Sequence, residues 1–159
     1  MLMTFLYVAI GALFIYALKR AFAGTTGTSV AGNIEAGTQF LEENKNKEGV
    51  IETESGLQYL QLQAGSGTVH PGPKTEVLAH YHGSLIDGTV FDSSVDRGQP
   101  LEFGLNQVIR GWTEGLQLMV EGEKVRLFIP SKLGYGNRPA GSIPAGSVLI
   151  FDVELIAIH

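Results

Sequence analysis

The chain contains no cysteine. Disulfides, thiolate-bound zinc and thiol catalysis are therefore excluded, while oxidising and reducing compartments both stay open. Basic residues are few: eleven Lys and Arg stand against sixteen Asp and Glu, a net charge of −5. No cluster of Lys and Arg occurs, which excludes nucleic acid as a partner, because phosphate binding needs grouped cations. Charged residues of all kinds make up only 17% and apolar ones 44%, the composition of a globular protein and not of a disordered chain. Histidine is scarce as well. His80 and His82 share a strand face, but no third ligand lies near them in sequence, so no metal and no cofactor is expected.

Long apolar runs are absent with one exception. Residues Met1 to Leu18 carry no charged side chain, and Lys19-Arg20 close the run. As a helix it reaches about 27 Å, just enough to cross a hydrocarbon core with slight thinning. Residues 1–20 are thus expected to be a transmembrane anchor. A signal segment cut after Ala21-Phe22-Ala23 is the alternative, though it lacks a basic leader. Lys19-Arg20 directly after the span leans towards a cytoplasmic placement of the C-terminal domain.

What the chain has in quantity is glycine, 21 residues, which points to turns between short strands. Residues 21–49 are expected to be a linker, opening on the Gly/Thr/Ser run from Gly24 to Asn33 and holding a short helix with Thr38 as N-cap and Gly49 as stop. The domain proper is expected over residues 50–159. Leu57 to Gln63 alternates as a strand with one irregularity, and Glu76 to Leu85 places Val77, Ala79 and Tyr81 on one face. Asp87-Gly88 is a hairpin turn, Val90-Phe91 the return strand, and Asp92-Ser93-Ser94 its break. Leu101 and Phe103 mark another short strand.

Val108-Ile109-Arg110-Gly111-Trp112 then leads into a helical pattern of Trp112, Leu116 and Met119. The only tryptophan therefore stands at a helix mouth, where backbone N–H groups lack intrahelical partners. Glu121-Gly122-Glu123 is expected to be a solvated turn. A strand over Glu123 to Pro130 and a long one over Ser147 to Ile158 flank a 16-residue loop, Ser131 to Gly146, long enough to be functional. The pattern predicts an α+β fold, an antiparallel β-sheet half-wrapped around one short central helix.

Six stretches make the chain recognisable: Ala79-His80-Tyr81-His82-Gly83, Gly88-Thr89-Val90-Phe91-Asp92-Ser93-Ser94, Val108-Ile109-Arg110-Gly111-Trp112, Leu133-Gly134-Tyr135-Gly136, Ile143-Pro144 and Leu149 to Leu155. In this order and spacing the chain resembles the FKBP-type peptidyl-prolyl cis-trans isomerases. The lead-in Glu54-Ser55-Gly56-Leu57-Gln58-Tyr59 is similar to the bacterial macrophage-infectivity-potentiator branch, with a shortened N-terminal region. The resemblance implies a pocket with Trp112 as floor and Tyr81, Phe91, Phe103, Val108, Ile109 and Phe151 as walls. It implies that the Ile109 N–H and the Tyr135 hydroxyl bind substrate carbonyls, and that Asp92 faces the reacting bond. Arg97 would help to fix Asp92 and Tyr81, and Ile143 would come from the loop that closes the site.

The partners so implied are proline-containing polypeptide clients and macrolide-type inhibitors. The branch leans towards the periplasmic side of a bacterial inner membrane, against the lean of Lys19-Arg20. Gln107, the loop tip Asn137 to Ser142 and Ala145 depart from common family forms, and none belongs to the aromatic set. Two other functions are consistent with the same residues: a module that holds prolyl peptides or macrolides without turnover, and a general chaperone.

Overall fold

The computed structural model describes residues 29–159. The expected anchor over 1–20 lies outside them, and among the described residues no helix is long and apolar enough to cross a membrane. The first element is helix α1, Val30–Asn44, with the Ser29 hydroxyl accepting from the Gly32 N–H at 3.1 Å. This corrects the expected start at Thr38, which sits mid-helix with its hydroxyl bonded to the Ile34 carbonyl at 2.8 Å. Glycines at 32 and 37 disguised the helix as linker, since each weakens a helix by about 1 kcal/mol relative to alanine. Gly37 has a tertiary reason to be there: a Cβ on it would stand 2.6 Å from Val148 Cγ2. The helix also stops before Gly49, whose φ of 81° serves the turn into the next strand instead.

Seven strands follow in one sheet: β1 (Val50–Glu52), β2 (Gln58–Gln63), β3 (Glu76–Ser84), β4 (Val90–Ser93), β5 (Leu101–Gly104), β6 (Lys124–Ile129) and β7 (Leu149–Ile158). Their order is β1-β2-β6-β7-β3-β4, with β5 also on β3, and every pairing is antiparallel. Strand alternation divides the sheet into two faces. Val77, Ala79 and Tyr81 of β3, Val125, Leu127 and Ile129 of β6, and Leu149, Phe151, Val153 and Leu155 of β7 are all buried on the inner one. The irregularity in β2 is a register shift between Gln61 and Gln63.

A short helix α2, Ser94–Arg97, follows β4, and helix α3, Arg110–Gln117, lies on the inner face of the sheet. Gly111 and Gly115, four residues apart, set how closely α3 approaches β6. A Cβ at Gly111 would meet Ile129 at 2.5 Å, and one at Gly115 would meet Leu127 at 2.8 Å. Trp112 and Leu116 are fully buried in the resulting interface, each contributing about 1.5–3 kcal/mol by leaving water.

On the outer face α1 covers β2 and β6. Phe40 packs 6.1 Å from Phe128, which explains why Phe128 is buried despite its place among the outward Lys124 and Arg126. Asn44 donates to the Gln58 side chain at 2.8 Å, and Gln58 donates to the Leu41 carbonyl at 2.9 Å, so these buried amides satisfy each other. A second correction concerns the acid run. Glu123 is buried, accepting from the Val120 N–H at 2.9 Å and the Gln61 amide at 2.9 Å, and Glu121 accepts from the Ile158 N–H at 2.7 Å. Both carboxylates pin the start of β6 and the end of β7.

Candidate active site

Trp112 is the hub. Its ring lies 5.1 Å from Tyr81, 5.2 Å from Phe103 and 5.1 Å from Phe151, while Phe91 meets Phe151 edge-on at 5.3 Å. Strands β3, β4, β5 and β7 each supply one ring and α3 supplies the tryptophan, so the cluster forms only when the helix seats on the sheet. Edge-to-face contacts of this kind fix ring orientation beyond simple burial. Gly83 makes the crowding possible: a Cβ there would fall 2.7 Å from both Phe91 and Phe151.

Ile109 is the N-cap residue of α3, and no side chain caps the helix. Its carbonyl accepts from Trp112 N at 3.0 Å and Thr113 N at 3.1 Å, whereas its own N–H makes no hydrogen bond among the described residues. The Trp112 indole nitrogen is likewise buried without a partner there. Val108 packs half-buried against the same core.

One edge of the cluster is polar. The Asp92 carboxylate accepts from the Tyr81 hydroxyl and from Arg97, and Arg97 Nη2 lies 3.0 Å from the Tyr81 oxygen. The Asp92 side chain is only 7% exposed, so its charge is compensated locally by the guanidinium. Burial pushes the Tyr81 phenol well above its ordinary value, and the bond to Asp92 adds to this while Arg97 opposes it. Local capping after β4 falls to Ser93, whose hydroxyl accepts from the Asp96 N–H at 3.1 Å, leaving the Asp92 side chain for the site. Ser94 is fully buried and accepts from the Tyr81 N–H at 2.7 Å.

His80 and His82 bond these serines, Nδ1 to Ser94 Oγ and to Ser93 Oγ at 2.9 Å each, and no cluster able to hold a metal occurs among the described residues. Buried Ser94 is no accessible nucleophile for His80 to activate. The arrangement therefore sets a cluster of buried rings beside one fixed carboxylate and a few oriented donors.

The long loop supplies the rest. It begins with a 3₁₀ turn, Ser131–Leu133, and Gly136 N bonds back to Ser131 O at 2.8 Å. Tyr135 packs half-buried against the core; burial, with the nearby charge of Asp92, pushes its phenol up to about 12. Ile143 is buried through a two-way backbone bridge with Ala140, 2.9 Å in each direction. The structure thus brings all eleven expected residues to one helix–sheet junction and its rim. From the sequence Gly83 was given no role, and Ser93 and Ser94 only that of breaking a strand. A glycine inside an otherwise regular strand, the mark of a close approach, was the available signal for Gly83.

Residues 67–156 match the family described as FKBP-type peptidyl-prolyl cis-trans isomerase, and residues 12–60 match the domain amino terminal to it. The FKBP-type isomerase FkpA of Aeromonas hydrophila is 58% identical over 127 residues, covering 80% of this chain and 47% of that protein. The 22 kDa FKBP-type isomerase of Escherichia coli is 55% identical over 123 residues, 77% of this chain and 59% of its own length. The chain spans about half the length of the curated relatives it matches. A crystal structure of a peptidyl-prolyl cis-trans isomerase from Pseudomonas syringae superposes with a TM-score of 0.77 at 38% identity, covering 84% of this chain and 98% of that one.

Proposed function

The chain belongs to the FKBP-type peptidyl-prolyl cis-trans isomerase family, and from that premise we propose that it accelerates Xaa-Pro bond rotation in proline-containing polypeptide clients. The observation that carries the reading is Asp92, held by Tyr81 and Arg97 at the edge of the ring cluster floored by Trp112. Rotation about a prolyl amide meets a barrier of about 18–20 kcal/mol, because resonance is lost in the twisted state. The planar amide carries resonance charge on its carbonyl oxygen and the twisted one carries less. A dry pocket walled by Phe91, Phe103, Ile109 and Phe151 therefore disfavours the planar ground state. The Ile109 N–H, the Tyr135 hydroxyl and the Asp92 carboxylate add fixed electrostatic preference for the twisted geometry. None of these steps needs a nucleophile, a metal or a cofactor.

The same pocket would accept macrolide-type inhibitors. In the full chain residues 1–20, uncharged as far as Leu18, would tether the domain of residues 50–159 to an inner membrane. Carbonate extraction of membranes tests the tether: the chain should stay with the pellet, and release into the supernatant would refute it.

The activity is tested on a client whose refolding is limited by a prolyl bond. The full chain should speed that slow phase catalytically, at sub-stoichiometric amounts. Suppressed aggregation of a proline-free client with no change in the slow phase would instead favour a chaperone.

A further inference from the structure

We propose that α1 is a positioning element for the site, and that Asn33 acts through one peptide unit to hold the loop that carries Tyr135 and Ile143. The inference rests on the isomerase reading for its catalytic consequence, though not for the contact itself. α1 lies on the outer face of the sheet and contributes nothing to the buried core cluster around Trp112. Its C-terminal half sits on β2 and β6 through Phe40 and Asn44. Its N-terminal half meets the far end of the long loop.

The contact converges on the peptide between Ala145 and Gly146. Asn33 Nδ2 donates to the Ala145 carbonyl at 2.9 Å. The N–H of the same peptide unit, on Gly146, donates to the Gly136 carbonyl at 2.8 Å. A peptide is planar and rigid, so fixing its oxygen from one side fixes the direction of its N–H on the other. Gly136 is the residue after Tyr135. One plane therefore connects α1 to the chain segment that bears the Tyr135 ring, and it also fixes the exit of Ile143, two residues before Ala145.

Two glycines show that the fit is close. Gly146 has a φ of 80°, and a Cβ there would stand 2.9 Å from the Val30 carbonyl and 3.0 Å from Ile34 Cγ1. Gly37 admits Val148, just past the loop, at 2.6 Å from the position its own Cβ would take. At Gly146 the loop backbone thus comes close to the Val30 carbonyl of the helix where a side chain would have kept them apart, and at Gly37 the helix makes room for the Val148 side chain. Asn33 is a positioning residue on this account, remote from any reacting atom.

The test uses the full chain and three variants. Asn33→Asp keeps the shape but turns a donor into an acceptor facing the Ala145 carbonyl. Gly37→Leu pushes the helix off Val148. Asn44→Ala loosens the other end of α1 and serves as the control for mere helix destabilisation. Losing this half-buried hydrogen bond corresponds to about a fivefold to tenfold change in an opening equilibrium. Asn33→Asp should therefore speed amide hydrogen exchange at residues 136–146 by about the same factor. It should raise KM for a prolyl peptide several-fold with kcat nearly unchanged. Asn44→Ala should leave both readouts at the parent values. If Gly37→Leu fails to fold, Asn33→Asp still decides. Parental exchange across residues 136–146 in Asn33→Asp would overturn the inference, as would an equal effect of Asn44→Ala. A parent without isomerase activity would overturn the functional reading instead, and the exchange result would still decide the loop contact.

Discussion

Tyr81 and Asp92, on neighbouring antiparallel strands, are joined through their side chains, and Arg97 closes the triangle by bonding to both. The carboxylate is thereby oriented by a phenol that is itself fully buried against Trp112. The triangle couples the polar edge of the site to its aromatic floor: neither Tyr81 nor Asp92 can move without the other.

Removing the guanidinium should leave Asp92 almost buried and held from one side only. Arg97→Ala is predicted to lower kcat/KM by roughly tenfold, the scale of one charge-assisted hydrogen bond of about 1.5–3 kcal/mol, discounted for the exposure of Arg97. Arg97→Lys should recover only part, because an ammonium does not reproduce a planar fork that reaches two oxygens. Peptide isomerisation kinetics on the three proteins check this.

Gly83→Ala should act on the rings directly. The new methyl requires Phe91 and Phe151 to move from 2.7 Å contacts, and overpacking of this kind costs about 1–3 kcal/mol. A lower melting temperature together with reduced kcat/KM is expected; unchanged activity would mean that the positions of these two rings do not matter to turnover.

Alkaline pH should loosen the fold through its buried phenols. Tyr135 is pushed up to about 12 and Tyr81 is raised further, in each case first by burial. In the unfolded chain both ionise near pH 10. Above that pH the unfolded state binds fewer protons than the folded one, so stability falls as pH rises from about 10 towards 12. Below pH 10 their contribution is fully present. Denaturant unfolding at pH 9 and pH 11 should show this loss, and Tyr135→Phe should show less of it.

Asn44→Ala should destabilise without touching catalysis. It removes the amide that bonds Gln58, which is fully buried, and an unmet buried amide costs about 1–3 kcal/mol. Urea midpoints should fall while kcat/KM stays at the parent value.

Much of this architecture was legible because strand alternation reports burial on the inner face directly. Val77, Ala79 and Tyr81, or Leu149 to Leu155, read as one face in sequence and pack as one face in the sheet. The outer face was opaque for the opposite reason. Phe128 looks like an outward residue until Phe40, far away in sequence, is laid across it. The start of α1 was hidden by its glycines, of which Gly37 makes room for Val148, a tertiary contact that no local propensity encodes. Glu121 and Glu123 look solvated because their partners, the N–H groups of Ile158 and Val120 and the Gln61 amide, leave no signal in the local sequence. The site residues themselves came from the family resemblance, not from periodicity. Read locally, Asp92-Ser93-Ser94 is a capping signal, and only the structure shows that Ser93 takes the cap and leaves Asp92 to Tyr81 and Arg97.

The central claim is that the edge formed by Asp92 against the Trp112 floor lowers the prolyl barrier, and the most direct measurement is isomerisation of a short Xaa-Pro peptide by the full chain. The parent should accelerate the exchange well above its uncatalysed rate, and Asp92→Leu and Tyr135→Phe should each reduce kcat/KM, the first by tenfold or more. A parent no faster than the uncatalysed peptide would contradict the account.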